Sequence, residues 1–156
     1  MSAAAAKERV RAVLREKGVD TEIVEFAQST RTAQEAADAI GTSVAQIVKS
    51  LVFVAGGQPV LALVSGANQA DTDKLGALLG APVERADART VREATGFAIG
   101  GVPPVAHATP MPTFIDEDLL KYDELFAAAG TPHAVFRITP DELVRITGGR
   151  VVPLAR

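Results

Sequence analysis

The chain has 156 residues, 47% hydrophobic and 22% charged, with a formal net charge of −3 and no cysteine. That length suits one domain with a sizeable core, and the missing thiols exclude disulfides, thiolate zinc ligands and a cysteine nucleophile. The mild acidity excludes a global basic field that would gather DNA, so any nucleic-acid contact is local. With six Phe, one Tyr and no Trp, the core must rest on Val, Ile, Leu and Ala.

Residues 3–17 read as an amphipathic helix, with Ala6, Val10, Val13 and Leu14 as its apolar stripe and Gly18 as its stop. Lys7, Arg11 and Arg15 recur every four residues along it; a solvated helix face explains them more simply than an RNA contact. Met1–Ala6 lacks the pattern of a signal peptide, and no apolar run approaches the roughly 18 residues of a membrane helix. A cytoplasmic protein with no membrane partner is the expectation.

Thr21–Phe26 reads as a strand. Thr32 caps a helix with Glu35 in capping-box register, and that helix runs to Ile40 and stops at Gly41. Ser43–Gln46 adds one turn. A long strand through residues 47–54 follows; Gly56-Gly57 turns it into a hairpin partner at Pro59–Ser65. Asp71 caps a helix carrying Leu75, Leu78 and Leu79, which ends at Gly80. Val83–Arg85 is a short strand, and Asp87 or Thr90 opens a helix ending near Thr95-Gly96. Thr113–Ile115 reads as a strand, Leu125–Ala128 as a strand or a helix, and Ala134–Ile138 as a strand. Thr139 caps a last helix with Pro140 at its first position, ended by Thr147-Gly148-Gly149. Short strands and helices in irregular order indicate α+β, with a mixed sheet or partial barrel flanked by helices, as one domain over residues 1–156.

Two features stand out. Lys49 interrupts the apolar run Ile47-Val48-Lys49-Ser50-Leu51-Val52-Phe53-Val54. With period two, Ile47, Lys49, Leu51 and Phe53 share one face and Val48, Ser50, Val52 and Val54 the other. Both faces are mostly apolar, so both are covered, and a lysine there either snorkels to water or aims its ammonium into a polar pocket. The second feature is the segment 97–112, which holds two adjacent glycines and four prolines. It should be a rigid loop, able to bring free N–H groups close to a carbonyl or phosphate oxygen, or else a structural turn. His107 and His133 are the only histidines, and no Ser-His-Asp order, phosphate-cradling P-loop or GxGxxG is present. A zinc site would need both histidines and a carboxylate; no metal or cofactor is expected. Asp116, Glu117 and Asp118 read as a solvated turn or a helix cap.

The ordered motifs Ser29-Thr30-Arg31-Thr32-Ala33 with Glu35-Ala36-Ala37, Gln46 through Phe53, Asp71 with Lys74-Leu75, Thr95-Gly96-Phe97 leading into Gly100-Gly101-Val102-Pro103-Pro104, and Pro112 through Asp116 resemble the YbaK/prolyl-tRNA synthetase-associated editing domain family, over about residues 5–150. The resemblance implies a trans-editing deacylase. Its substrate would be the ester of a mischarged aminoacyl-tRNA, a small amino acid such as alanine on tRNA for proline or a related tRNA. It implies contact with the acceptor end and an association with an aminoacyl-tRNA synthetase. Lys49 matches the family lysine and would anchor the terminal adenosine or its phosphate. Gly100 and Gly101, in the loop that ends at Pro104, would position the ester and a water, with the substrate's 2′-hydroxyl assisting. Thr30 and Arg31 are expected at the substrate, Phe26, Ile47, Phe97, Ile99 and Met111 as the pocket wall, and His107 at the loop's end. Many members carry glycine where this chain has Ala106, whose β-carbon would narrow the pocket. Two other readings fit the residues: a non-catalytic module that binds a tRNA end or a synthetase, and an enzyme forming a Schiff base on its lysine.

Overall fold

Helix boundaries follow the capping residues. The computed structural model describes residues 1–156 and contains five α-helices and eight strands. Helix α1 (Ala3–Glu16) starts where Ser2 Oγ accepts from Ala5 N–H. Helices α2 (Ala33–Ile40) and α5 (Pro140–Thr147) open with reciprocal capping boxes, Thr32–Glu35 and Thr139–Glu142. Asp71 caps α3 (Thr72–Leu79), and Asp87, not Thr90, caps α4 (Ala88–Thr95). Gly41, Gly80, Gly96 and Gly148 end α2 to α5 in the left-handed region that a side chain would disfavour.

The strands are β1 (Ile23–Glu25), β2 (Ile47–Ala55), β3 (Gln58–Ser65), β4 (Val83–Arg85), β5 (Thr113–Asp116), β6 (Leu125–Ala128), β7 (Ala134–Ile138) and β8 (Arg150–Val152). They form one mixed sheet in the order β1-β7-β6-β2-β3-β5-β8, with β4 also on β2. The sheet does not close on itself, with β1 and β8 at its ends, as expected for an α+β fold with a mixed sheet. Residues 125–128 are a strand; their burial alternates, with Leu125 and Ala127 inside. One element has no counterpart in the sequence reading: β8, held by parallel pairing to β5. A 3₁₀ turn at Glu117–Lys121 follows the cap at Asp116.

Period two holds along β2. Val48 and Val52 enter the larger core with α1 (Val10, Leu14), α4 (Val91) and α5 (Leu143, Ile146). Phe53 packs on the opposite face with Leu75 of α3, and Leu51 lies against that cluster. Ile47 meets Ala36 and Ala37 of α2. Burying each such Val, Leu, Ile or Phe contributes roughly 1.5–3 kcal/mol, which is what keeps β2 central. The basic row on α1 is largely spent locally: Lys7 pairs with Glu25 and Arg11 with Glu8. No helix is long and apolar enough to cross a membrane.

Candidate functional site

The site begins as a break in strand pairing. One edge of β2 is fully paired to β3, from Val48↔Ser65 to Ala55↔Gln58. The other edge is shared. Parallel β6 covers only Ile47 and Val48, and antiparallel β4 covers only Phe53 to Ala55. Residues 49–52 have no strand partner there. Ile47 C=O accepts from Gly66 N–H on the β3 side, and Val52 C=O accepts from Ala86 N–H on the other. Backbone groups alternate along an antiparallel ladder, so the N–H and C=O of Ser50 point into the unpaired gap. Irregular pairing beside a strand is where backbone groups become available to a ligand.

A cavity of about 420 Å³ occupies this gap. Its lining comes from both faces of the sheet. Val48, Val52, Val91, Val102 and Ala127 form an apolar part, and each of these is at least 93% buried. Arg31, Lys49 and Arg85 supply three cations, and no Asp, Glu or His lines the cavity. None of the three cations forms an ion pair. In a protein of net charge −3, this is a local positive field suited to an anionic or strongly dipolar ligand.

Lys49 is half-buried, and its Nζ donates to the backbone carbonyl of Asn68. Asn68 is held in turn, its Nδ2 donating to Asp116 Oδ2 at 2.9 Å and to Asp118 Oδ2 at 2.8 Å. Asp116 is fully buried and also accepts from Ser65 N–H and Asp118 N–H. The acidic cluster therefore includes a cap, as one sequence reading had it, but Asp116 is not solvated. Burial, and then the like charge of Arg85, hold the Lys49 ammonium below the ordinary lysine range; Asp116 pulls it back in part. Arg85 lies over the Phe53 ring, 5.7 Å from its centroid. Two further polar atoms are unusual. Thr30 Oγ1 and Ser50 Oγ are the two buried side-chain oxygens without a hydrogen-bond partner, and both residues line this cavity. Orphaned buried polar groups are costly and uncommon.

The Gly/Pro loop approaches from one side and forms neither helix nor strand. Gly100 (φ 92°) lines the cavity; a β-carbon there would lie 2.5 Å from Arg31 Cγ. Gly101 serves a different purpose. It is buried outside the lining, and its β-carbon would meet the Thr131 backbone at 2.9 Å. Helix α1 grips the loop from behind: Arg9 Nε donates to Ala106 C=O at 2.7 Å, and its guanidinium lies 5.7 Å from the Phe97 ring centre. Ala106 is the one non-glycine residue in the left-handed region (φ 71°), which explains why glycine suits that position. Half-buried His107 donates from Nε2 to Pro103 C=O, 2.7 Å away. Burial, and next to it Arg9, lower its pKa against that bond, which favours a neutral ring donating to the carbonyl.

Of the residues singled out from sequence, Lys49, Gly100, Thr30, Arg31, Ile47 and Ile99 come together around this cavity. Gly101, Phe97, Pro104, Ala106, His107 and Met111 lie outside its lining. Phe97 is core beneath Arg9, Pro104 is buried in the loop, and Ala106 and Met111 pack against the larger core. Phe26 lines a neighbouring cavity instead. Ala106 therefore does not narrow the Lys49 cavity. Arg85, Ser50, Asn68 and Asp116 had drawn no functional attention in the sequence. An arginine closing the short strand after Pro82 was a weak signal for the first; nothing local marked the others.

Comparison with known proteins gives the family and the fold. The family model described as aminoacyl-tRNA editing domain matches residues 27–146. A crystal structure described as a candidate trans-editing enzyme for prolyl tRNA synthetase superposes with a TM-score of 0.93 at 51% identity, covering 100% of this chain and 99% of that one. The uncharacterised protein YwhH of Bacillus subtilis (strain 168) is 31% identical over 133 residues, 85% of each chain. A proline–tRNA ligase of Elusimicrobium minutum (strain Pei191) is 39% identical over 75 residues, 47% of this chain but 13% of the ligase.

Proposed function

The chain belongs to the aminoacyl-tRNA editing domain family, and from that premise we propose that it is a trans-editing deacylase, hydrolysing the ester of a mischarged aminoacyl-tRNA in the Lys49 cavity. The observation that carries this reading is the split character of the lining: three unpaired cations and no carboxylate around an apolar interior. An aminoacyl-tRNA end has that same split character, with anionic phosphates next to a small apolar side chain. Lys49, held by the Asn68 carbonyl and drawn toward Asp116, is the anchor for the terminal phosphate or adenosine. Arg31 and Arg85 extend the positive field.

Hydrolysis joins a water oxygen to the ester carbonyl carbon, breaks the bond from that carbon to the ribose oxygen, and leaves the water's proton on the ribose oxygen. Charge develops on the carbonyl oxygen, and each preorganised donor to such an oxyanion is worth about 2.7–4 kcal/mol. The unpaired N–H of Ser50 and the loop at Gly100 are the backbone candidates. The cavity lining holds no carboxylate or imidazole, and in this reading Lys49 stays charged as the anchor, so the substrate's own 2′-hydroxyl is the group left to assist the water. Valine and alanine in the interior favour a small side chain, alanine first, although one methylene in an apolar pocket is worth only about 1–3 kcal/mol. The prolyl relatives point to tRNA for proline and to work beside its synthetase.

A panel of mischarged tRNAs tests this: glycine, alanine, serine, threonine and proline on tRNA for proline, and alanine on its own tRNA. Fastest release of alanine from tRNA for proline is expected. Retained binding of the acceptor end without turnover of any ester would instead identify a non-catalytic binding module.

A further inference from the structure

The proposed hydrolysis leaves the two orphaned hydroxyls unexplained. Thr30 is 5% exposed, and its N–H is fixed by Pro132 C=O at 2.7 Å. Its Oγ1 has no partner and its residue lines the cavity. Ser50 Oγ is likewise buried without a partner, at the one stretch of β2 where the strand edge is open. Each hydroxyl can accept as well as donate, and the Ser50 carbonyl is a third acceptor on that edge. All other charged groups lining the cavity, Arg31, Lys49 and Arg85, are cations. They are donors only, and they repel a further positive charge.

We propose that Ser50 and Thr30 form the subsite for the substrate's α-amino group and that this subsite takes the amine uncharged. A free amine donates two hydrogen bonds, which the hydroxyl oxygens and the Ser50 carbonyl accept. An ammonium would find no carboxylate in the cavity and three cations around it. The inference rests on the cavity being an aminoacyl-ester site. It adds that the enzyme reads the amine, a feature shared by all its substrates, apart from the side chain.

The test uses two esters of the same tRNA for proline: alanyl, and propionyl, which is alanyl without the amine. Differences in intrinsic reactivity cancel when the alanyl-to-propionyl ratio of kcat/KM is compared between wild type and variants. Ser50→Ala and Thr30→Val should each shrink that ratio about tenfold, the size expected for losing a hydrogen bond to a buried group, while Thr30→Ser restores it. In the wild type, after subtracting spontaneous hydrolysis, the ratio should fall as the pH drops through the amine's pKa, about 7.7–8.0 for an α-amino group. Equal losses on both esters would place the hydroxyls on the ester carbonyl or in folding, and would overturn the proposal. So would an unchanged ratio in the variants, and a ratio flat with pH would overturn the uncharged state. Failure of the wild type on every mischarged tRNA would instead defeat the deacylase reading beneath it.

Discussion

Two cavities lie on either side of a wall formed by Phe126 and Val135, and they differ in chemistry more than in size. The one around Lys49 measures about 420 Å³ and the one around Phe26 about 540 Å³. The larger has Asp20, Glu22 and Arg137 on its lining, and its single cation is already paired, Arg137 Nε lying 2.5 Å from Glu124 Oε2. It contains no orphaned buried polar atom, whereas the smaller cavity contains both of those in the molecule. The smaller one also has three unpaired cations and an open strand edge. Volume alone does not separate the two cavities. Unsatisfied chemistry, held in place by a sheet that stops pairing for four residues, is what makes the Lys49 cavity the candidate.

The most direct way to break this comparison is to remove the charge at its centre. Lys49→Met keeps the stem and deletes the ammonium. Deacylation should fall by about 10²–10³-fold, the cost of losing one charged or oxyanion-stabilising donor. The fold should persist, because Asp116 keeps its bonds from Ser65, Asn68 and Asp118. Circular dichroism and single-turnover kinetics check the two halves. A folded Lys49→Met protein with near-normal turnover would strip the smaller cavity of its claim.

A gentler change sharpens the electrostatic contrast. Burial and Arg85 depress the Lys49 pKa, so the ammonium is lost at a pH below the ordinary 10.5 for lysine. If catalysis needs that charge, activity has an alkaline limit below that value. Arg85→Gln removes the like charge and should move the limit upward. Stability has the opposite sign. Between the native and unfolded pKa values the unfolded chain binds more protons, so Lys49 makes the fold more stable as pH rises through that window. An alkaline loss of activity caused by Lys49 therefore comes without a fall in Tm from this residue. An Arg85→Gln profile that superposes on the wild type, once spontaneous hydrolysis is subtracted, would mean that the two cations do not share a field.

What was legible in the sequence follows the range of the interactions. Caps at Thr32, Asp71 and Thr139 were readable because the capping residue and its partner lie three residues apart or fewer. Lys49 was readable because period-two alternation needs only the strand itself. Gly100 and Gly101 look alike in sequence, and only the approach of Arg31 to one and of the Thr131 backbone to the other separates them. Ser50 was unreadable, since its open edge depends on where β6 stops and β4 starts, segments more than 30 residues away. Asp116 looked like a surface turn because its donors, Ser65 and Asn68, arrive through the β3–β5 pairing. Phe26, Phe97 and Met111 were apolar residues near the right motifs, and residue type cannot say which cavity or core a side chain enters.

The smallest expected effect comes from the other side of the wall. Phe26 is half-buried, and its N–H donates to His133 C=O at 2.8 Å, a bond that survives truncation of the ring. Phe26→Ala removes apolar contact from the larger cavity. A fully buried Phe→Ala change costs about 3–5 kcal/mol, so a half-buried ring should cost about 1–2 kcal/mol, or a Tm drop of several degrees at roughly 2–4 °C per kcal/mol for a chain of this size. Turnover of alanyl-tRNA should stay within about twofold, because the ring does not line the Lys49 cavity and Phe126 still separates the two spaces. Thermal melts and kcat/KM on one preparation decide the matter. A loss of activity beyond what the melt explains would mean that substrate reaches across Phe126, making the two cavities one extended site with the Phe26 side holding part of the tRNA end.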